Sequence, residues 1–556
     1  MHIDLNEIAP VRLRADVAVI GAGAAGITAT RRLLSHGLSV ILLESGGLDY
    51  ERDTAALNDG DVVGEPYYDL EDARLRFFGG TTAIWGGRCA ELDPIDFERR
   101  SWIPHSGWPI AYDEVRPYYA EASQALGLAP GLRTPPPLAF DDSEIATPRW
   151  LFDEQFDRFA FTRCRDVVEH PRCTILTHAT VREIVAAPSG RGITRLAVVN
   201  HNGRSVDVQA ADYVLAAGGI ENPRLLLASR SLMQAGLGND RDLVGRFFME
   251  HPHARGGRIV GKAAWQWLSA FGFKRAADGS SYAHLIAPSP ALQRREGLLN
   301  TSLTIAGRRP AMGKEALLMR AYLHAKHSAA PTRSGRALWK ATKKTVRRVQ
   351  SLSEPLRPWL LHKTGQLDVA LVVRAEQSPN PDSRIRLSND KDALGMPRVQ
   401  LDWRLNELDV RSVAGLVGAL GREAERLALG TVEAAEWLSR PEAGWQTDPL
   451  ISAHPIGGFH HLGTTRMADD PAQGVVDRDG RVHGIGNLHV VGSSTFPTGG
   501  WANPTLTIVA LAMRTADRLA ACRSSAATIR AQAANASAKG AMDEAEHVKL
   551  RRVSRG

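Results

Sequence analysis

The segment Ala15–Gly47 reads ADVAVIGAGAAGITATRRLLSHGLSVILLESGG and decides the fold. It begins with the apolar run Val17–Ile20, which has the length of a buried strand. The glycines that follow this run stand in G-x-G-x-x-G spacing at Gly21, Gly23 and Gly26. The pattern predicts a helix over about Ala24–Ser35 and a second strand over Leu38–Leu43.

This order of elements is typical of a dinucleotide-binding site. Small residues after the strand allow a tight turn, close approach of backbone N–H groups to a pyrophosphate, and close helix–strand packing. The helix directs its positive N-terminal end at the phosphates. Glu44 ends the second strand, about 20 residues past the glycines, where an acid is the expected partner of the adenosine ribose hydroxyls. The alternative is a glycine-rich turn kept for packing, and NAD and FAD both stay open at this point.

A second glycine cluster, Gly79–Gly87, helps to choose the cofactor. It reads GGTTAIWGG, a composition that suits a loop presenting backbone amides to a flat or anionic ligand. A simple nicotinamide dehydrogenase does not require such a loop, so the cluster favours FAD. An ordinary surface loop is the alternative.

The C-terminal part contains two further motifs, HPIGGFHHLGTTRM at 454–467 and DRDGRVHGIGNLHVVGSSTFPTGGWANPTLT at 477–507. With GAGAAG, GGTTAIWGG and VLAAGGIENPRLLLAS (214–229), they resemble, in the same order, the motifs of the glucose–methanol–choline (GMC) oxidoreductases. The resemblance extends from residue 15 to about 520. SGWPIAYDEVRPYY (106–119), EQSPNPDSRIRLS (376–388) and LGMPRVQLDW (394–403) are similar to the bacterial sugar-oxidising members, the pyranose oxidases and the flavin subunits of fructose and gluconate dehydrogenases.

The resemblance implies an α/β fold in which a Rossmann-type FAD-binding domain is interleaved with an α+β substrate-binding domain built on an antiparallel sheet. We expect residues 1–105, 160–255 and 450–520 in the FAD domain and 106–159 and 256–449 in the substrate domain. A basic insertion is expected at 301–365 and a disordered tail at 521–556. The strands near Ile385–Leu387 and Val399–Trp403 are predicted to form the substrate-domain sheet, covered by a helix at about Glu407–Ala428.

The family also implies roles for individual residues. His460 aligns with the catalytic histidine, and Asn503 aligns with its partner, a His or an Asn in the family. A neutral imidazole suits removal of the hydroxyl proton, while an amide N–H can hold the substrate oxygen. The tentative substrate-pocket residues are His461 and Trp501. The expected FAD-binding residues are Gly21, Gly23, Ala24, Gly26, Glu44, Gly80, Thr81, Thr82, Trp85, Gly86, Gly87, Val181, Gly492, Pro504 and Thr505.

One departure from the family pattern concerns the attachment of FAD. Some relatives bind FAD covalently through a histidine one place before the tryptophan of the second glycine cluster. Ile84 occupies that place here and cannot form the bond, so we predict dissociable FAD. A second departure, Arg230-Ser231 after Ser229 where Gly-x-Gly is usual, concerns local geometry only.

Other kinds of site are poorly supported. His251 and His253 have an H-x-H spacing, but no further ligands lie at suitable spacing, so no metal is expected. The sequence contains no GxSxG, P-loop or CxxC motif. The four scattered cysteines give no disulfide framework and fit a reducing compartment. The N-terminus has no apolar h-region and no twin arginine, so a cytoplasmic location is expected.

The positive charge of the chain is concentrated at 301–365, which contains 14 Lys/Arg and two Glu. In residues 334–349 the apolar side chains keep roughly helical spacing on one side, with cations on the other, and such a helix can contact an anionic membrane or an electron acceptor. A solvated insertion is the alternative. Nucleic acid is not expected, because no recognition fold accompanies the charge.

These observations predict an FAD-dependent oxidoreductase that acts on a CH–OH group of a sugar, glycoside or related polyol. Two alternatives stay open: a GMC-type lyase without net redox chemistry, and an electron-transfer subunit of a membrane-associated dehydrogenase complex. Oxygen, a quinone and a redox protein are all open as the electron acceptor.

Overall fold

The computed structural model describes residues 1–7, 12–129, 131–132, 134–155, 157–308, 332, 334–338, 341, 345, 363, 368–447 and 458–525. Within these ranges, no helix combines the length and the apolar character needed to cross a bilayer. Most of the predicted amphipathic segment 334–349 lies outside them. Of that segment, residues 334–338 are helical, and Arg336 Nη2 donates to Asp49 Oδ1 at 2.6 Å.

The strands are β1 (His2–Asp4), β2 (Leu13–Ile20), β3 (Val40–Leu43), β4 (Gly60–Val62), β5 (Arg88–Cys89), β6 (Ile145–Ala146), β7 (Arg149–Phe152), β8 (Cys173–Thr177), β9 (Thr180–Ala186), β10 (Ile193–Val199), β11 (Ser205–Leu215), β12 (His253–Val260), β13 (Lys274–Arg275), β14 (Ser281–His284), β15 (Ala287–Pro288), β16 (Ser302–Arg308), β17 (Asp368–Arg374), β18 (Arg384–Lys391), β19 (Pro397–Asp402), β20 (Thr431–Ala434) and β21 (Leu488–Val490). The helices are α1 (Ala24–Ser35), α2 (Arg52–Ala55), α3 (Pro94–Phe97), α4 (Tyr112–Ala125), α5 (Arg165–Val168), α6 (Gly218–Ala228), α7 (Ala264–Phe271), α8 (Pro290–Glu296), the helix Glu407–Arg426 and a C-terminal helix at 505–525. Short 3₁₀ helices cover Ala56–Asn58, Gly80–Ile84, Phe161–Arg163, Glu436–Ser439, Pro441–Ala443 and Ser493–Thr495.

An eight-stranded sheet carries the glycine-rich N-terminal segment. Its order is β1-β8-β3-β2-β11-β10-β9, and β21 pairs with the end of β11. The pairings from β1 to β11 are parallel, whereas β9, β10 and β11 form an antiparallel meander. The predicted strand–helix–strand unit is confirmed as β2, α1 and β3, although the second strand begins at Val40. Because β3 lies beside β2, the turn before α1 and the end of β3 reach the same sheet edge.

A second, four-stranded sheet is antiparallel, in the order β16-β17-β12-β20. The helix Glu407–Arg426 lies against it, and its buried Val413, Leu416 and Leu420 share a hydrophobic cluster with Leu303 and Leu371. Asn406 caps this helix by accepting the backbone N–H of Leu408. The chain therefore has the predicted fold class, a largely parallel nucleotide-binding sheet joined to an antiparallel one.

The strands near Ile385 and Val399 pair with each other as predicted, but the prediction that the helix at Glu407–Ala428 covers their sheet was wrong. These strands, β18 and β19, form a separate sheet with β4, and their buried residues pack with Tyr67 and Phe248. The helix Glu407–Arg426 covers the four-stranded sheet instead. The parallel pairing of β19 with β4 joins segments far apart in sequence, and hydrophobic periodicity carries no information about such a pairing.

The C-terminal helix at 505–525 continues into the segment predicted as a tail. Near its end, Arg523 donates to Asp212 Oδ2 at 2.6 Å and to Asp16 Oδ1 at 2.9 Å, which ties the helix to the eight-stranded sheet. Residues 526–556 lie outside the described residues. The domain boundaries given above stay a prediction.

Candidate active site

A cavity of about 1020 Å³ joins the glycine-rich end of the eight-stranded sheet to the segment around His460. This volume lies at the upper end of the usual range for small-molecule and cofactor sites. Predicted site residues that line the cavity are Gly21, Gly23, Ala24, Glu44, Gly80, Thr81, Thr82, Trp85, Gly86, Gly87, Val181, His460, His461, Gly492, Asn503, Pro504 and Thr505. Residues from both ends of the chain therefore meet at one cavity. After the roles predicted for these residues, we call the part near Glu44 the nucleotide end and the part near His460 the catalytic end.

The three glycines of the first motif serve different purposes. Gly21 follows β2 directly and has φ +103°, a backbone conformation that residues other than glycine rarely adopt. A Cβ on Gly23 would meet no protein atom within 4 Å although Gly23 lines the cavity, so the space beside it is available to a ligand. A Cβ on Gly26 would lie 1.8 Å from the Gly21 carbonyl oxygen. Gly26, predicted to bind the cofactor, does not line this cavity and instead permits close packing of α1 on the turn.

Glu44 lies at the end of β3 and faces the nucleotide end of the cavity. Its Oε2 accepts the Ala22 N–H at 3.0 Å, and its Oε1 accepts the Gly46 N–H at 3.1 Å. These two bonds hold the carboxylate beside the first turn of α1. Burial raises the pKa of Glu44, which the two backbone N–H donors partly oppose. Glu44 also lines the cavity, and a carboxylate that accepts two hydrogen bonds keeps lone pairs for further donors.

The second glycine cluster forms the wall between the two ends of the cavity. Gly79 and Gly80 both have positive φ, +100° and +56°, and start a 3₁₀ helix in which the Thr82 hydroxyl donates to the Gly79 carbonyl at 2.5 Å. Trp85 also lines the cavity, and its buried Nε1 has no hydrogen-bond partner in the described part of the chain. A cavity wall rich in glycine backbone suits a flat or anionic ligand.

At the catalytic end, a chain of hydrogen bonds fixes the protons of two histidines. His251 Nε2 lies 2.9 Å from the Gly500 carbonyl oxygen. Because a carbonyl oxygen can only accept a hydrogen bond, Nε2 of His251 carries the proton and Nδ1 is unprotonated. His460 Nδ1, 2.9 Å from His251 Nδ1, must then be the donor. The other nitrogen of His460, Nε2, is left with its lone pair and accepts from Asn503 Nδ2 at 3.1 Å. The arrangement holds His460 as a neutral imidazole whose basic nitrogen lies next to Asn503.

Burial maintains that neutral state. It lowers the pKa of His460 well below 6.5, and the neighbouring His251 and the Arg374 charge lower it further. Burial lowers the pKa of His251 to about 4. The His460 backbone is held as well, because its N–H donates to Glu250 Oε2 at 2.9 Å and the Tyr67 hydroxyl donates to the same carboxyl group at 2.5 Å.

His251 is a site residue that sequence reasoning missed. Its H-x-H spacing with His253 was considered only as a metal site, and no cluster of three or more potential ligands occurs among the described residues. The two histidines instead face different partners, His251 towards His460 and His253 towards Arg374 Nη1 at 2.9 Å. The signal that could have identified them is their place just before and at the start of β12, a strand whose first residues reach the cavity.

The two tentative pocket residues have different environments. His461 lines the cavity, packs near Tyr67 and Phe248, and burial together with the Arg74 charge lowers its pKa to about 3. Trp501 does not line this cavity, which corrects the prediction. Its ring is 3% exposed and its Nε1 donates to Asp93 Oδ2 at 2.8 Å, so it is a core residue beneath the site.

Comparisons with known proteins agree with this arrangement. Residues 379–512 match the family model of GMC oxidoreductases, and residues 16–236 match that of FAD-dependent oxidoreductases. Paromamine 6'-oxidase of Streptomyces fradiae is 26% identical over 91% of each chain. The fructose dehydrogenase large subunit of Gluconobacter japonicus is 23% identical over 91% of this chain and 98% of its own. A fungal aryl-alcohol oxidase structure superposes with a TM-score of 0.53 at 15% identity, covering 91% of this chain and 98% of that one, and so shares the fold.

Proposed function

Because the chain belongs to the GMC oxidoreductase family, we propose that it oxidises a CH–OH group of a sugar, glycoside or related polyol with FAD as the oxidant. The observation that carries this proposal is the hydrogen-bond chain from Gly500 through His251 and His460 to Asn503. The chain leaves one imidazole lone pair at the cavity wall. Removal of a hydroxyl proton requires such a base.

The protein groups act on the proton and on the orientation of the alcohol. The Asn503 N–H occupies the lone pair of His460 Nε2 in the free protein, so the substrate hydroxyl displaces that bond before Nε2 takes the hydroxyl proton. The resulting imidazolium keeps its Nδ1–H bond to the unprotonated Nδ1 of His251. Asn503 Nδ2 has a second N–H besides the one directed at His460, and this N–H donates to the substrate oxygen as alkoxide character develops. Two hydrogen bonds to one oxygen would fix the orientation of the carbinol C–H bond in the cavity.

FAD, when bound, supplies the acceptor for the hydride. The first turn of α1 would hold its pyrophosphate, since unpaired backbone N–H groups there face an open cavity. Glu44 would hold the ribose hydroxyls, and the cluster Gly79–Gly87 with the segment Asn503–Thr505 would enclose the flavin ring. The space beside Gly23 supports this fit.

We propose that the FAD is dissociable. Ile84, at the place of the linking histidine in some relatives, lines the cavity with a hydrocarbon side chain that has no nucleophilic atom. Acid precipitation of the yellow protein should therefore release all flavin into the supernatant. Flavin that stays with the precipitated protein would show a covalent bond and contradict this part of the proposal.

The substrate class rests on the relatives. Their names describe an oxidase of paromamine and a dehydrogenase of fructose, and we carry over only the common element, oxidation of a sugar or alcohol. The names favour neither oxygen nor another electron acceptor. The chemistry at the substrate carbon is the same in both cases.

We also propose the basic segment 334–349 as the contact for an anionic membrane or an electron acceptor. Its cations are Arg336, Lys340, Lys343, Lys344, Arg347 and Arg348. Sedimentation with phosphatidylserine vesicles measures the binding of the protein to an anionic membrane. Binding that disappears when these cations are replaced by glutamine supports it, and binding unchanged by the replacements contradicts it.

The experiment that tests the main proposal is anaerobic mixing of the holoenzyme with a panel of sugars, glycosides and simple alcohols. Loss of the visible flavin absorption with one class of alcohol supports oxidation and identifies the class. Bound FAD that no alcohol bleaches would contradict it and favour the redox-silent lyase.

A further inference from the structure

Two arginines stand side by side at the catalytic end of the cavity. Arg88 lies in β5, directly after the second glycine cluster, and Arg374 is the last residue of β17. Both line the cavity, and each guanidinium carbon lies 5.0 Å from the ring centroid of Trp150, which is buried behind them. The indole attracts both cations through its ring face. The two contacts with the indole hold both guanidiniums beside the cavity.

Arg374 has no carboxylate partner among the described residues. Its Nη1 donates to His253 Nε2 at 2.9 Å, and its Nε finds no acceptor. Burial lowers the pKa of Arg374 to about 9, with the Arg88 charge as the second cause, so the guanidinium remains charged at neutral pH. Several other buried arginines are paired with carboxylates, as Arg100 is with Glu376 at 2.6 Å and Arg224 with Asp392 at 2.7 Å. A buried cation without an anion is costly unless a ligand supplies the opposite charge.

The position of this pair assigns it to the substrate and not to the FAD phosphates. The Arg374 and Arg88 charges are both among the causes that lower the pKa of His460, so they lie at the catalytic end. Arg374 also extends from the four-stranded sheet, whereas the pyrophosphate site is at the first turn of α1 on the eight-stranded sheet. Arg88 lies beside the flavin wall, because a Cβ on Gly86 would be 2.9 Å from its Nη1.

We propose that the substrate is an anionic alcohol, a CH–OH compound bearing a carboxylate or phosphate group that Arg374 binds together with Arg88. This inference rests on the proposed function and adds the charge of its substrate. A guanidinium presents a planar fork of N–H donors that matches a carboxylate or phosphate oxygen pair. The anionic group would anchor one end of the molecule while the reacting carbon lies at His460 and Asn503.

The anionic group takes no part in the redox step. The carbinol C–H bond breaks and its electron pair leaves with the hydrogen as a hydride to FAD, while the O–H proton goes to His460 Nε2. A C=O bond forms in the same molecule. The carboxylate or phosphate is unchanged, so its contribution is confined to binding and orientation.

The test is a series of substrates that share a ring and differ in charge: D-glucuronate, D-glucose 6-phosphate, D-glucose and D-glucosamine. The dissociation constant and the rate of anaerobic flavin reduction are measured by rapid mixing. We compare the substrates by the rate constant of flavin reduction divided by the dissociation constant. This ratio should be about tenfold or more higher for at least one of the two anions than for glucose, and it should be lowest for glucosamine. The more effective anion also distinguishes carboxylate from phosphate. Glucose equal to or better than both anions would overturn the proposal.

Variants at position 374 sharpen the result. Arg374→Gln should abolish the preference for the anionic substrate over glucose. Arg374→Lys should retain part of this preference, because lysine keeps the positive charge but lacks the planar pair of guanidinium N–H donors. Arg386→Gln, which removes a cation at an exposed position of β18, should leave the ratio unchanged. If Arg374→Gln slows all substrates by the same factor, the guanidinium serves the flavin or the fold, and the proposal fails.

A second measurement separates this inference from the proposed function. Sodium sulfate is titrated into the oxidised holoenzyme at constant ionic strength, and the flavin absorption spectrum is recorded. Saturable perturbation that Arg374→Gln removes supports the anion site even if no sugar bleaches the flavin, in which case only the oxidation proposal falls. A spectrum that sulfate leaves unchanged in the wild type, together with no preference for anionic sugars, overturns the anion site.

Discussion

The two ends of the cavity are built in different ways. The nucleotide end uses backbone: glycines, the first turn of α1, and one carboxylate fixed by two backbone N–H groups. The catalytic end uses side chains that arrive from distant segments, with His251, His460 and Asn503 joined in a directional chain of hydrogen bonds. A site formed by backbone groups is disturbed by any substitution that moves the backbone. A site formed by side chains can lose a reactive group while the backbone around it stays in place. Substitutions at the nucleotide end should therefore change FAD binding and stability, whereas substitutions at the catalytic end should change the rate of flavin reduction.

The largest effect is expected at the nucleotide end, from Gly26→Ala. The new methyl group would lie 1.8 Å from the Gly21 carbonyl oxygen, so the turn must move and the holoenzyme should be lost. Overpacking of this kind costs about 1–3 kcal/mol or more. The matched control is Gly23→Ala, whose methyl group meets no protein atom within 4 Å. It should leave the unfolding temperature of the apoprotein unchanged and weaken FAD binding only; equal unfolding temperatures for both variants would contradict this distinction.

At the catalytic end, His460→Ala should retain FAD and lose the base. General-base catalysis contributes on the order of 10²–10⁴ in rate. Anaerobic flavin reduction should slow by that factor, while the flavin-to-protein absorbance ratio stays at the wild-type value. A variant that loses FAD and activity together would show that His460 supports the cofactor site, contrary to the separation of the two ends.

His251→Asn tests the positioning of the base. The bond from His460 to His251 involves a charged group once His460 has taken the proton, and such bonds are worth about 1.5–3 kcal/mol, or roughly 10- to 100-fold. The reduction rate constant should fall by that factor with an unchanged dissociation constant for the substrate. The exposed His201→Asn serves as control. A change confined to substrate affinity would assign His251 to binding instead of to the proton chain.

The smallest effect concerns pH. A base whose pKa lies well below 6.5 is already unprotonated at neutral pH and stays so as the pH falls towards that lowered value. The wild-type reduction rate constant should therefore be nearly constant between about pH 6 and 8 and decline only in more acidic solution. A decline centred near or above 6.5 would mean that His460 titrates like an exposed histidine.

The same comparison explains what the sequence could predict. The nucleotide end is encoded locally, so its strand, helix and second strand could be predicted and are confirmed as elements, with the bounds of α1 as predicted and the strand bounds shifted by a few residues. His460 and Asn503 were identified through the family motif, and the family and fold class are confirmed. The binding and catalytic roles of these residues stay predictions that the variants above test.

What escaped prediction depends on pairings between distant segments. His251 acquires its role only because β12 begins beside the cavity, and Trp501 is core because Asp93 accepts its indole N–H. Besides β18, the strand β19 pairs with β4, and hydrophobic periodicity could not indicate this second pairing. Arg88 and Arg374 face the same indole from strands nearly 300 residues apart in the chain, so neither stood out as a site residue.

The central claim is that the carbinol hydrogen of an alcohol passes to FAD at the His460 end of the cavity. The most direct measurement compares anaerobic flavin bleaching by the best alcohol of the panel with bleaching by the same alcohol carrying deuterium at the reacting carbon. Both compounds should bleach the flavin, and the deuterated alcohol should do so more slowly, because the C–H bond breaks in the observed step. Flavin that neither compound bleaches, or that both bleach at the same rate in a single turnover, would contradict it.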